Sequence, residues 1–132
     1  MEYRQTISGK NRYVFKYIEE GNMLNHHSYE QCIQACLECM EACNICYDAC
    51  LSEEDVKMMV NCIRMDRECA DICLFAAKSM QSNSPFAKQI CQLCAEICEA
   101  CGNECKKHEH EHCQKCAEAC FRCAEECRKM AS

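Results

Sequence analysis

Nineteen cysteines, most of them at alternating steps of three and four residues, constrain this chain of 132 residues more than any other feature. A mean spacing of 3.5 residues is the period of the inward face of a helix in a bundle. The pattern therefore predicts three helices whose thiols all point to a common axis. The three cysteine ladders are Cys32, Cys36, Cys39, Cys43, Cys46 and Cys50; Cys91, Cys94, Cys98, Cys101 and Cys105; and Cys113, Cys116, Cys120, Cys123 and Cys127.

The segment between the first two ladders has fewer cysteines but is also predicted to be helical. Its thiols are Cys62, Cys69 and Cys73, and methionines occupy neighbouring positions of the same face. We expect this helix to contribute three thiols and several thioethers to the axis. The predicted inward row is Met58, Cys62, Met65, Cys69, Cys73, Ala76 and Met80.

Capping residues and helix breakers predict where the helices begin and end. Ser28 with Gln31 has capping-box spacing, Ser52 precedes three acidic residues, and Pro85 suits a first helical position. Four long helices with short connections predict an all-α, antiparallel, up-down-up-down four-helix bundle. The predicted helices are residues 28–51, 52–80, 85–106 and 112–130, with a polar hinge at 107–111.

The first 27 residues contain no cysteine and are predicted to form an extension separate from the bundle domain of residues 28–132. Val14, Tyr17 and Ile18 share one face if residues 10–20 are helical, and Gly21 suits the end of that helix. We expect a short helix here that docks on the outside of the bundle.

Composition excludes several classes of function. The formal net charge is −6, which argues against binding to nucleic acid or an anionic membrane. No apolar run approaches the roughly 20 residues of a membrane span, and residues 1–10 lack the apolar core of a signal peptide. We therefore expect a cytoplasmic protein with reduced thiols. No acid–base pair, nucleotide loop or nucleophile constellation is present, so we expect no enzymatic activity. A thiol oxidoreductase that uses one C-x-x-C pair is the enzymatic alternative, and nineteen thiols on one axis argue against it.

A metal-free core does not explain so many cysteines on one axis. Buried cysteine behaves as a small hydrophobic residue, and a core of nothing larger would be underfilled at a cost in stability. Apolar residues such as Ile33, Leu37 and Ile97 stand beside the thiols instead of replacing them. A disulfide framework also fails, because thiols one helical turn apart point the same way and cannot bridge without distorting the helix.

All-thiolate surroundings instead select soft metal ions: Cu(I), zinc or iron–sulfur clusters. Zinc and iron–sulfur sites take sets of four ligands, and a continuous ladder does not divide into such sets. Pairs such as Cys32 and Cys36 place two sulfurs about one turn apart, which suits a two-coordinate Cu(I) ion. Charge balance then predicts roughly one Cu(I) for each thiolate. All nineteen cysteines are predicted metal ligands, and a zinc or iron–sulfur protein remains the alternative.

Three stretches resemble the bacterial copper storage proteins, in particular their cytosolic, leaderless branch. They are His27-Ser28-Tyr29-Glu30-Gln31-Cys32, Cys36-Leu37-Glu38-Cys39 and the ladder from Cys113 to Cys127. The resemblance spans residues 28–130. It implies a four-helix bundle that stores Cu(I) on inward-pointing cysteines and assembles as a homotetramer. The partners would be copper ions, with a copper chaperone or a small thiol as the donor or acceptor.

One end of the predicted bundle is a candidate copper entrance. Antiparallel topology brings the hinge histidines beside the start of the second helix, where imidazole and thioether groups could bind Cu(I) transiently. His26 and His27 mark the opposite end as a rival, and a solvated polar loop is the alternative without metal. The candidate entrance residues are His108, His110, His112, Met58 and Met59.

Overall fold

The computed structural model describes residues 23–132, with side chains from Tyr29 onward, and this part of the chain contains helices and no strands. The predicted all-α class is confirmed. Helix α1 spans Met23–Leu51, α2 spans Val60–Gln81, α3 spans Ala87–Cys105 and α4 spans Glu111–Ala131. A short 3-10 helix, Val56–Met59, leads directly into α2. The short helix predicted over residues 10–20 lies outside the described residues.

The four helices form the predicted antiparallel bundle, because a short connection reverses the chain after each of the first three. Each helix packs against two neighbours: α1 against α2 and α4, and α3 against α2 and α4. The ends therefore pair as predicted, with the α1–α2 turn and the α3–α4 hinge at one end. None of the described helices combines the length and the apolarity that a membrane span requires.

Two predicted helix starts are wrong. Ser28 does not cap α1, because the helix already includes Met23. Ser52 does not cap the second helix either; its amide donates to the carbonyl oxygen of Ala49 at 3.1 Å in a turn that ends α1. The α-helical part of the second helix begins at Val60, after the 3-10 helix. The acidic residues after Ser52 are thereby released from a helical first turn, and two of them contact the hinge.

The remaining boundaries agree with the sequence to within two residues. Pro85 lies in the turn before α3, not at its first position. Ser84 closes this turn, since its hydroxyl oxygen accepts from the Phe86 amide and its carbonyl oxygen from the Ala87 amide, both at 3.1 Å. Asn83 adopts a positive φ of 54°, which lets the chain reverse after α2. The hinge between α3 and α4 comprises residues 106–110.

The bundle axis is lined by thiols, and ordinary apolar side chains pack around them. Partly buried Ile33, Leu37, Ile90 and Ile97 cover the thiol core from the sides, as the sequence predicts. Small residues bring the helices close together: a Cβ built on Gly102 would lie 2.8 Å from the Phe121 ring. The helices therefore approach closely enough for sulfurs of neighbouring helices to meet on the axis.

Candidate metal centre

All nineteen cysteines are buried as free thiols in one continuous core. Each is at most 1% exposed, including the three that α2 contributes. The shortest of the sulfur–sulfur contacts, between Cys62 and Cys105, measures 3.4 Å, far longer than a disulfide bond of about 2.05 Å. The ladders therefore face inward along the whole bundle, and the thiols remain free to bind metal.

Sulfur atoms lie within reach of a shared ion both along the helices and across them. Along a helix, Cys46 and Cys50 are 3.7 Å apart, and Cys39 and Cys43 are 4.0 Å apart. Across the bundle, Cys39 of α1 lies 3.7 Å from Cys120 of α4. Two sulfurs that bind one ion at about 2.3 Å can lie as much as roughly 4.6 Å apart. Small movements would therefore place an ion between many of these pairs.

The sulfurs form overlapping groups of four, not separate sites. Within each group the ligand atoms all lie within 4.8 Å of one another, and several cysteines belong to two groups. A thiolate that belongs to two groups can bridge two ions, whereas an isolated tetrahedral site has four ligands of its own and no bridging thiolate. Examples of the groups are Cys39, Cys73, Cys98 and Cys123; Cys39, Cys43, Cys69 and Cys120; and Cys43, Cys101, Cys116 and Cys120.

A buried carboxyl group that the predicted row does not contain interrupts the thiols on α2. Asp66 is fully buried, and its oxygens accept hydrogen bonds from the thiols of Cys116 at 3.3 Å and Cys105 at 3.4 Å. Burial, reinforced by the charges of Cys116 and Cys62, raises the pKa of Asp66 to about 9. A carboxyl group that could act as an oxygen ligand to metal therefore lies among the sulfurs of the core.

The histidines of the hinge gather at one end of the bundle, which we call the histidine end. His112 Nδ1 lies 3.3 Å from Cys46 Sγ and 3.6 Å from Cys113 Sγ, so its ring reaches the outermost thiols. The rings of His110 and His112 stack with their centroids 5.3 Å apart. His108 turns away and pairs with Glu104 at 3.1 Å. Imidazole nitrogens therefore connect the surface to the thiol core at this end.

Burial favours the protonated form of Cys113 and Cys50 at the histidine end, whereas hydrogen bonds from Cys105 and Cys46 lower the pKa of Cys62. Loss of water raises the pKa of Cys113 to about 12, and the neighbouring charge of Cys62 acts in the same direction. The pKa of Cys50 is also raised, chiefly by burial. Without metal Cys113 and Cys50 are therefore neutral at physiological pH.

Sequence and structure comparisons place this thiol core in a known family. The sequence model of the copper storage proteins matches residues 25–132, which is most of the chain. The chain belongs to the copper storage protein family.

Solved structures of similar proteins share this fold. The Cu(I)-bound copper storage protein BsCsp3 is 61% identical, with 80% of this chain and 99% of that chain covered and a TM-score of 0.77. A cytosolic copper storage protein from Streptomyces lividans, solved with five coppers, is 39% identical, with 83% and 97% covered and a TM-score of 0.79. An uncharacterized cysteine-rich protein of Bacillus subtilis, YhjQ, is 62% identical over 83 residues, 63% of this chain and 77% of that protein.

In this copper storage protein the inward row of α2 differs from the predicted one at two positions. Met58 is 73% exposed, whereas the adjacent Met59 is fully buried. Met65 packs at the side of the core, and Asp66 takes the inward position. Cys69 and Cys73 are four residues apart, so strict alternation requires a step of three before Cys69. That step reaches Asp66, not Met65, and identifies the correct register. The observed row is Met59, Cys62, Asp66, Cys69, Cys73, Ala76 and Met80.

The structure brings most of the candidate entrance residues of this copper storage protein together. His110, His112 and buried Met59 belong to the histidine end, whereas exposed Met58 points away from the core. At the opposite end Met80 is buried and Met130 partly buried. His26 and His27 belong to the first turns of α1, and their side chains lie outside the described part of the protein.

Proposed function

We propose that this protein stores Cu(I) in the cytoplasm and that all nineteen cysteines act as its ligands. The observation that carries the proposal is the overlap of the four-sulfur groups along one buried axis. Overlap suits an ion that takes two or three sulfurs and shares them with its neighbours. Membership of the copper storage family and the Cu(I) bound by a relative 61% identical support the same metal.

Charge balance favours a monovalent ion and a high capacity. Thiolates buried without counterions are very costly, and about nineteen Cu⁺ ions would neutralise them. A divalent ion would achieve neutrality with about half that number. Separate tetrahedral sites for such ions each need four ligands, which overlapping groups with shared thiolates do not provide. A zinc or iron–sulfur protein is therefore the weaker candidate.

We assign no enzymatic activity to the thiols. A catalytic cysteine needs an accessible, activated thiolate, usually in an electropositive surrounding. Here every cysteine is buried, and burial raises the pKa of Cys113 and Cys50 at the end nearest to solvent. Such thiols suit capture of a soft ion better than attack on a substrate.

Copper enters at the histidine end in this proposal. His112 connects solvent to Cys46 and Cys113, and Met59 supplies a buried thioether near the same end. Imidazole and thioether bind Cu(I) more weakly than thiolate does, so the ion can move inward by successive ligand replacement. A copper chaperone or a small thiol would deliver copper here and remove it.

We propose residues 28–132 as the storage domain and residues 1–27 as an extension. We also propose that the protein forms a homotetramer. The supporting observation is a pair of exposed apolar side chains at matching heights on the neighbouring helices α2 and α3. Phe75 and Leu93 each lie six residues from the connecting turn and are 53% and 49% exposed. Phe86, at the start of α3, is also exposed. Exposed apolar patches of this kind commonly mark protein–protein contacts.

An anaerobic titration of the reduced apoprotein with Cu(I), in the presence of a competing chelator, tests the storage function. We expect saturation near one Cu(I) per cysteine, on the order of twenty ions per chain. Saturation at four or five ions would contradict the shared-thiolate core and favour separate four-ligand sites. A coloured protein containing iron and sulfide after anaerobic purification would favour iron–sulfur clusters.

A further inference from the structure

Two carboxylates from the α1–α2 turn reach across the histidine end to the hinge between α3 and α4. Glu53 Oε2 lies 2.7 Å from His112 Nε2 and 3.3 Å from His110 Nδ1. Asp55 Oδ1 lies 3.3 Å from the other nitrogen of His110, Nε2. Glu53 and Asp55 therefore connect a turn that supplies no thiol to the two stacked histidines.

The short contact between Glu53 and His112 determines where the ring carries its proton. A carboxylate only accepts hydrogen bonds, so Nε2 of His112 must be the donor. In the neutral ring Nδ1 is then an acceptor with a free lone pair. This lone pair faces Cys46 Sγ at 3.3 Å and Cys113 Sγ at 3.6 Å. The ring thus presents its only unprotonated nitrogen to the thiol core.

We propose that Glu53 is a positioning residue that fixes this tautomer, so that His112 Nδ1 receives incoming Cu(I) and passes it to Cys46 and Cys113. Carboxylates that hold the far nitrogen of a ligating histidine are a common device of metal sites, because they fix ring orientation and raise ligand basicity. Asp55 acts on His110, which stacks against His112 at an interplanar angle of 6° and limits its rotation. The proposal rests on the Cu(I) storage function.

The transfer involves no oxidation or reduction. Cu(I) first forms a bond to His112 Nδ1 as it leaves its donor. The thiol of Cys46 or Cys113 then loses its proton to solvent, the new sulfur–copper bond forms, and the nitrogen–copper bond breaks. His112 regains its lone pair and can accept the next ion. The pre-aligned nitrogen gives the ion a ligand while the sulfur–copper bond forms.

The tautomer can be measured without copper. In the reduced apoprotein labelled with ¹⁵N at its histidines, we expect the ring shifts of His112 to show a protonated Nε2 and an unprotonated Nδ1. In Glu53→Ala the ring should populate both tautomers. A protonated Nδ1 in the wild-type protein, or an unchanged tautomer in Glu53→Ala, would overturn the proposal. The wild-type measurement stands even if the variant folds poorly.

The rate of copper loading distinguishes a positioning role of Glu53 from a general effect of its negative charge. With Cu(I) delivered from a chelator, we expect Glu53→Ala to slow the first phase of loading by about 10-fold, the low end of the effect of removing such a partner. Adding Glu53→Ala to His112→Ala should slow loading no further. Glu54→Ala is the matched control, because it removes the same charge from an exposed neighbour. Equal effects of Glu53→Ala and Glu54→Ala, or additive effects with His112→Ala, would contradict the positioning role. Failure of the wild-type protein to take up Cu(I) would instead refute the storage function.

Discussion

Asp66 of α2 and Cys116 of α4 meet across the bundle axis, with Oδ1 3.3 Å from Sγ. The two helices are diagonal neighbours, so this contact lies in the centre of the thiol core. Thiols of Cys101 and Cys105 approach the same oxygen at 3.5 and 3.4 Å. A carboxyl group in this position is surrounded by weak donors and shielded from water, and its protonation is therefore coupled to the stability of the apoprotein.

Asp66→Asn should change how the stability of the apoprotein depends on pH. Because burial first, and the charges of Cys116 and Cys62 second, raise the pKa of Asp66 to about 9, folding favours the protonated carboxyl. Its stabilising contribution is complete below the ordinary value of 3.8 and is lost as the pH rises through the folded value. We expect the Asn variant to avoid about 1–3 kcal/mol of this pH-dependent loss in the free energy of unfolding, because its amide carries no charge.

Urea unfolding of the reduced apoprotein at pH 5 and pH 8 measures the effect of Asp66→Asn. The variant should gain stability relative to the wild type at the higher pH. Asp71→Asn, on the exposed side of the same helix with a side chain 71% exposed, is the control and should follow the wild type. Parallel pH profiles for all three proteins would show that Asp66 is not stabilised in its protonated form.

Copper loading should release about one proton per ion at neutral pH. Burial raises the pKa of Cys113 to about 12 and also raises that of Cys50, so these thiols are protonated before metal binds. Thiolate coordination expels their protons. A pH-indicator dye in weakly buffered anaerobic solution counts them during titration. Release of three or four protons per ion would instead indicate separate tetrahedral sites.

The triple variant His108→Ala, His110→Ala, His112→Ala should load and release Cu(I) more slowly, by about 10-fold, with nearly unchanged capacity. The reason is that the imidazoles provide transient ligands at the histidine end, whereas the stored ions are held by thiolates. Stopped-flow transfer from a chelator measures the rates, and competition titration measures capacity. His26→Ala, His27→Ala is the control for the opposite end. If only this pair changes the rates, copper enters there instead.

Gly102→Ala should weaken the packing of α3 against α4. The added Cβ would lie 2.8 Å from Cε1 of Phe121, closer than packed carbon atoms tolerate. We expect a loss of about 1 kcal/mol in the free energy of unfolding, because the clash exceeds the gain in helix propensity. In a Phe121→Leu background the same change should be neutral or stabilising. A destabilisation that persists in this background would show that Phe121 is not the cause.

Phe75→Glu combined with Leu93→Glu should dissociate the proposed tetramer, because two charges would be buried in an apolar contact. Light scattering coupled to size-exclusion chromatography gives the mass directly. Ile45→Glu is a matched control, since Ile45 is 58% exposed on α1, away from the α2–α3 face. A change of mass in the Ile45 variant alone would place the contact on α1.

The sequence by itself determined the helical class, the antiparallel order and the inward direction of all nineteen cysteines. A strict step of three and four residues allows only one side of a helix to carry the thiols, so their burial follows from helical geometry. The predicted inward row of α2 is wrong at Met58 and Met65. The seven positions from Cys62 to Cys69 can be divided into steps of three and four in either order, and both orders keep the intermediate residue on the same helical face. The alternation of the steps distinguishes the two orders, and burial of Met59 and Asp66 confirms that the step of four comes first.

Only the tertiary structure decided which groups from distant parts of the chain meet. Glu53 and Asp55 suit a helical first turn in sequence terms, yet the chain turns before α2 and places them on His112 and His110. No local pattern specifies such a contact, because it depends on how two connections lie at the same end of the bundle. The overlapping sulfur groups have the same origin. Helical periodicity directs each thiol to the axis, whereas the relative heights of four packed helices decide which sulfurs are within reach of one ion.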